Sequence, residues 1–395
     1  VTAQYIWEWL NLLGRSLHVI AGIAWIGASF YFIWLDNHLQ APADPAASDR
    51  GVGGELWAVH GGGFYHSQKY RGAPPALPAR LHWFKWEAYT TLLSGLFLLA
   101  VVYYAQAATM LVDPALNSFG PAGAIAASLA WIIGGFVVYE GLCRSPLARN
   151  DRALALVLAV LTAAAAFGLC QVFPGRAAFL HFGAMLGTIM VLNVFVVIIP
   201  GQKALVTAAA AGQPVDPKYG QHGKQRSVHN TYFTLPAVFA MISNHYAWIF
   251  GAPNNWIWLI VISVAGALIR VWFVMRHKGT PSPWPLVGAA LLLAVTAYGL
   301  RPQASGASTI TTARAQAIVA ERCVSCHATS PSFAGLTAAP KGVVLETPAQ
   351  LAAQAVNARA QLASRAMPPG NLTGLTDAER SELIAWIDAG ARDGR

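Results

Sequence analysis

The chain has 395 residues, 55% of them hydrophobic and only 11% charged, where ordinary soluble domains carry roughly 25% charged residues. That balance excludes a soluble globular protein, and 14 Trp, 12 Tyr and 17 Phe exclude a disordered one. The formal charge is +9, and the basic excess is spread unevenly along the chain.

A hydrocarbon core about 30 Å thick takes roughly 20 apolar residues per helical span. Eight such runs occur, near 12–35, 86–106, 121–142, 153–173, 177–200, 230–250, 256–275 and 283–300. They predict an all-α protein with an eight-helix transmembrane bundle over residues 1–301. No separate signal peptide is evident, so the first run is expected to direct insertion. Residues 302–311 read as a small-residue linker, and residues 312–395, with ordinary polar content, as a soluble domain.

Within the first 301 residues, fifteen Lys and Arg, Arg226 and Arg270 among them, fall in alternate connections; only Arg15, Arg176 and Arg301 fall in the others. The positive-inside rule then puts the richer set in the cytoplasm and both termini outside. Basicity here is topology, not nucleic-acid binding.

In the tail, Cys323-Val324-Ser325-Cys326-His327 is the C-x-x-C-H attachment pattern for c-type heme. Two thiols one turn apart reach the two vinyl groups, and the adjacent His supplies an axial nitrogen to iron. An Ala-rich helix precedes the motif. Met367-Pro368-Pro369-Gly370 follows at a distance suited to the sixth ligand, so His327 and Met367 are the expected iron ligands. Thr376-x-x-Glu379 reads as a capping box before a closing helix. A zinc or redox C-x-x-C would want a second ligand pair, which the tail lacks. Heme c is attached outside the bacterial inner membrane, the side to which the charge count sends the tail, making residues 312–395 a periplasmic cytochrome c domain.

Ionisable groups inside spans usually mark function. His18, His181 and His245 fall near the outer ends of the first, fifth and sixth helices, and two of them are expected to hold an additional intramembrane heme b. His82 and His229 fall near inner ends, with His60 and His66 in an inner loop. Glu87 shares a stripe with Thr91 and Ser94 and is the preferred proton acceptor within the pool His60, His66, His82, Glu87 and His229. The glycines of Val59-His60-Gly61-Gly62-Gly63-Phe64 read either as an anion cradle or as a flexible loop. Glu140 and Arg144 read as a structural i,i+4 pair.

The strings VHGGGFYHSQKY (59–70), LHWFKWEAYTTLLSG (81–95), HFGAMLGTIMVLNVFVVIIPGQK (181–203) and HNTYFTLPAVFAMISNHYAW (229–248), followed by the heme c tail, resemble the membrane-bound urate hydroxylases. The likeness covers nearly the whole chain. It implies oxidation of urate to 5-hydroxyisourate, with electrons passing through cytochrome c to a downstream cytochrome c or terminal oxidase and no peroxide formed. The residues by themselves also suit two other classes: a membrane-anchored di- or multi-heme electron carrier without substrate chemistry, and a metal-handling permease with a cytochrome appendage.

Overall fold

The computed structural model describes residues 3–113, 116, 118–301, 310–363 and 365–391; residues 302–309 of the expected linker lie outside them. The chain is mostly helical. Helix α1 spans Ala3–His38, α2 Trp86–Tyr104, α3 Pro121–Arg144, α4 Asp151–Val172, α5 Gly175–Ala210, α6 Pro217–Ile242, α7 Asn255–His277 and α8 Trp284–Gly299. Six of these, α1 to α5 and α7, are long and apolar enough to cross a membrane. Helix α8 is apolar but has 16 residues, and α6 opens with Lys218, His222, Lys224 and Arg226. The run expected over 230–250 is broken, because α6 stops at Ile242 and is followed by a 3₁₀ turn, Ser243–His245, and a one-turn helix, Ala247–Phe250.

Helix α5 lies at the centre. Ala177, Ala178, Phe179, Phe182, Leu186 and Val191 are buried around its whole circumference, as expected of a helix apolar on every side. It packs against α3, α4 and α6. Its first residue, Gly175, lets the 247–250 turn lie directly on it: a Cβ there would stand 2.0 Å from the Phe250 carbonyl oxygen. Both α2 and α5 contain a π-helical segment, Leu99–Tyr104 and Asn193–Ile198.

The all-α expectation needs one correction. Strands β1 (Val52–His60) and β2 (Gly63–Tyr70) form an antiparallel hairpin, with Trp57 opposite His66 and Val59 opposite Phe64. Gly61 and Gly62, at φ +58° and +81°, make the two-residue turn with both φ positive that matches strand twist. The glycines read as a cradle or a loose loop are therefore turn residues, and His60 and His66 are strand residues.

Beyond residue 310, α9 (Thr312–Arg322), α10 (Pro348–Ala353), α11 (Ala355–Ala363) and α12 (Asp377–Asp388) enclose a separate core containing Ile318, Val319, Leu351, Leu383 and Trp386. The Thr376–Glu379 capping box forms as its spacing predicts. This region meets the helical body at Gly370, whose φ is +55° and where a Cβ would stand 2.3 Å from the Val112 carbonyl oxygen. Ala366 packs on the body's core.

Thr376→Ala should cost about 1 kcal/mol, the usual worth of an N-cap, seen as faster amide exchange across α12. Acid should loosen the same helix. The Glu379 carboxyl is held below its ordinary range, first by the Thr376 amide, then by Arg322 and the Thr376 hydroxyl. Its contribution is complete at neutral pH and is lost as pH falls through that depressed value.

Candidate functional site

Three groups of functional side chains stand apart in the structure. In the tail, α9 ends at Arg322, and a tight turn follows in which the amides of Cys326 and His327 both reach the Cys323 carbonyl, at 3.2 and 2.9 Å. Both thiols are free, and burial pushes the Cys323 thiol up to about 11. His327 Nδ1 lies 2.9 Å from the Val343 carbonyl, an acceptor only, so Nδ1 carries the proton and Nε2 keeps its lone pair. That second-sphere bond is the one a metal-binding imidazole needs. The loop bearing Met367 is pinned by Arg380, a buried residue whose Nη1 donates to the carbonyls of Leu362 (3.0 Å) and Met367 (2.8 Å). Cys323, Cys326, His327 and Met367 thus have the chemistry to hold a heme c.

The histidines expected to form an outer layer occupy three different settings. His18, on α1, rests on α2 with Nδ1 3.0 Å from the Thr91 carbonyl and 3.1 Å from Ser94 Oγ, which leaves Nε2 uncommitted. Beyond it, the Cβ position of Gly22 meets open space. His181 is completely buried and committed at both nitrogens: Nδ1 to the Ala177 carbonyl at 2.7 Å and Nε2 to Ser128 Oγ at 2.6 Å, with Phe173 stacked on the ring. Iron ligation there would require the Ser128 bond to be given up. His245 is exposed on the 3₁₀ turn. So His18 has a ring nitrogen without a hydrogen-bond partner among the described residues, and His181 does not.

The densest polar cluster lies toward the opposite ends of the helices, where α3 finishes and α6 begins. Asn193 is wholly buried in the π-helical segment of α5, a distortion that turns a side chain inward and recurs at functional sites. Its amide donates to Tyr139 Oη (2.9 Å) and Asn230 Oδ1 (2.8 Å). Asn230 donates in turn to the Met190 carbonyl. Tyr139 Oη, already accepting from Asn193, has its own proton free to donate to His229 Nδ1 at 2.8 Å. That assigns His229 the neutral tautomer with its proton on Nε2. The Arg226 guanidinium lies over the Tyr139 ring, 5.1 Å from its centroid, with Nη2 2.8 Å from Glu140 Oε2. Glu140 also takes the expected Arg144 contact at 2.6 Å.

Of the expected inner pool, only His229 belongs to this cluster. His66 sits on the hairpin, 2.9 Å from Glu55 and stacked on Trp57 with centroids 4.1 Å apart. Glu55, which sequence reasoning passed over, is held below its ordinary range, first by the Ala43 amide and then by Gln68 and His66. His60 is exposed on its strand, and His82 lies against Phe84 in a surface depression lined by residues 77–83 and Val206. Glu87 stands in the first turn of α2, where a carboxylate interacts favourably with the helix N-terminus. Tyr139, Asn193, Arg226 and Asn230 were missed, although Asn193 within the apolar run at 177–200 was a visible signal. Tyr139 also lines a cavity of about 580 Å³ among α3, α4 and α5, but its walls are almost wholly apolar and do not suit an anion.

Removing one partner of a buried ion pair leaves the other charge stranded. Arg226→Ala should therefore destabilise the protein by about 3–5 kcal/mol. Arg144→Ala, on an exposed side chain sharing the same carboxylate, should cost about 1 kcal/mol or less. Thermal unfolding of detergent-solubilised variants gives the contrast.

A family model described as urate oxidase N-terminal matches residues 4–300. No curated protein and no solved structure matches the chain. The matched stretch takes in α1 through α8, with His18, His181, His229 and the cluster around Asn193, and stops short of the tail. By that match over most of its length, the chain belongs to the urate oxidase N-terminal family.

Proposed function

We propose that the protein is a membrane-bound urate hydroxylase that converts urate to 5-hydroxyisourate and passes the electrons to a heme c in its own C-terminal cytochrome c domain. The observation that carries this is one chain joining the family match over residues 4–300 to a C-x-x-C-H turn whose His327 has its Nδ1 fixed and its Nε2 free. Spans at α6 and α8 complete eight crossings, with both termini and the tail in the periplasm of a bacterial inner membrane. Electrons would leave to a downstream cytochrome c or terminal oxidase.

Urate and water give 5-hydroxyisourate, two protons and two electrons. The site must therefore bind an anion, accept protons and stay close to an electron outlet. The Tyr139–His229 pair is the proton relay best supported, since Asn193 fixes the phenol and the phenol fixes the imidazole tautomer. Arg226 places positive charge beside both. Glu87 has a structural role available at its helix terminus, so proton transfer passes to His229. His60, His66 and His82 stand nearer the surface, where they would serve urate entry.

Cys323, Cys326, His327 and Met367 would hold a heme c, which would supply a one-electron acceptor. Because urate gives up two electrons, a second acceptor is needed, and His18, paired with His245 or a released His181, would hold an additional heme b. Gly370 seats the Met367 loop against Val112, keeping the tail on the helical body.

Three measurements test the reading. Urate added anaerobically to the purified protein should reduce heme c; an unchanged spectrum would return the protein to the electron-carrier class. Tyr139→Phe and His229→Gln should slow that reduction by about 10²-fold or more, the usual worth of a general base, while Glu87→Gln should leave it nearly intact. Acid–acetone extraction should release heme beyond what stays covalently attached, and Met367→Ala should abolish any methionine-to-iron absorption.

A further inference from the structure

Two arginines counted by sequence as loop charges are buried inside helices, and they differ in one respect. Arg226 has Glu140. Arg270, on α7, is only 3% exposed and makes no ion pair or hydrogen bond among the described residues, with Nε left without a partner. Its guanidinium lies 3.9 Å from the centroid of Phe30 on α1. A guanidinium does not shed its proton in proteins, and a buried charge without a counter-charge is strongly unfavourable. A cation–π contact offsets part of that cost and leaves the buried Nε–H without an acceptor.

The surroundings extend the same chemistry. His277 is seven residues on, two turns along the same face of α7, and its Nδ1 is buried without a partner. Its ring meets His38 of α1 at 5.4 Å, and His38 stacks on Trp34 at 4.8 Å. Two acids near His38 are already engaged, Asp36 by Lys69 and Glu55 by His66. Among the described residues, the seam between α1, α6 and α7 therefore presents cationic and neutral donors and aromatic walls, and the one acid within its helical stretch on α1 near His38, Asp36, is paired with Lys69.

We infer that Arg270 is the counter-ion for a small planar organic anion bound in this seam, with its fork of N–H groups set against the anion's edge, and that the anion is the urate of the proposed reaction. The inference rests on that reaction for the ligand's identity. The unpaired charge stands independently of it. Planarity suits the guanidinium, which binds flat two-acceptor edges in a bidentate way. Arg270 acts here as a binding residue, and proton transfer remains with His229.

The test is equilibrium urate binding to the purified, heme-loaded full chain in nanodiscs, followed by quenching of tryptophan fluorescence under anaerobic conditions, with heme content measured in parallel. Arg270→Gln should raise the Kd for urate at least tenfold while covalent and extractable heme stay at wild-type levels. Arg270→Lys, which keeps charge but loses the fork, should raise it less. Wild-type affinity in Arg270→Gln would overturn the assignment. So would loss of extractable heme with urate binding intact, since the anion would then be a heme propionate. Should Arg270→Gln fail to assemble, Arg270→Lys decides, and an unchanged Kd in that variant overturns the inference. If the wild-type protein itself neither binds urate nor is reduced by it, the proposed reaction fails first, an outcome distinct from any variant result.

Discussion

Among closely packed apolar helices, a polar group that has given up water must find its partner inside the protein. Most of what distinguishes this chain follows from how each buried polar residue meets that demand. Asn193 satisfies Tyr139 and Asn230 together, Ser128 joins Tyr104 to His181, and Ser94 and Thr91 hold His18. These links run between helices, not along them, so they fix which helices neighbour one another as well as how side chains point. Packing of small and apolar residues around α5 then fills in the rest.

The result is two polar levels separated by an apolar middle. One contains His18 and His181 and lies toward the side where the tail docks. The other contains His229, Tyr139 and Arg226. Substrate chemistry at one level and electron exit at the other would need a relay between them, and the intervening side chains, Phe182, Met185, Leu186 and Ile189 among them, are apolar and buried. In such a medium an isolated charge is costly and proton leakage is suppressed.

How much of this was legible depended on whether the signal was local. Runs of apolar residues locate the helices, because span length is set by composition, but their ends miss by up to about a dozen residues, as at α1, which begins at Ala3 where the run begins near 12, and at α6, which covers Pro217–Ile242 where the run covers 230–250. The Thr376–Glu379 cap is decided within four residues of chain and takes the predicted form, and the C-x-x-C-H stretch is a tight turn. The hairpin was missed although Gly61-Gly62 between alternating residues is a recognised turn signal; its histidines drew the reading toward ligand binding. Arg226 and Arg270 were counted with the loops since sequence gives position along a helix but not depth. The partnership of Tyr139 with His229, 90 residues apart, depends on packing α3 against α5 and α6. No spacing rule encodes that.

The π-helical segment at Asn193–Ile198 has a further bearing on how this family can vary. Such a segment is an α-helix carrying one residue too many, and one residue is about 100° of rotation. Substitution at Asn193 changes a side chain but keeps the extra residue, whereas a single deletion would restore regular α-geometry and swing everything from Val194 to Ala210 a quarter-turn or more about the helix axis. Pro200 and Gly201, which lead that stretch toward Tyr219, would leave their seats together. Chain length in this region is therefore constrained more tightly than residue identity. Relatives that keep the buried amide should keep the same number of residues between His181 and Pro200, whatever else they change.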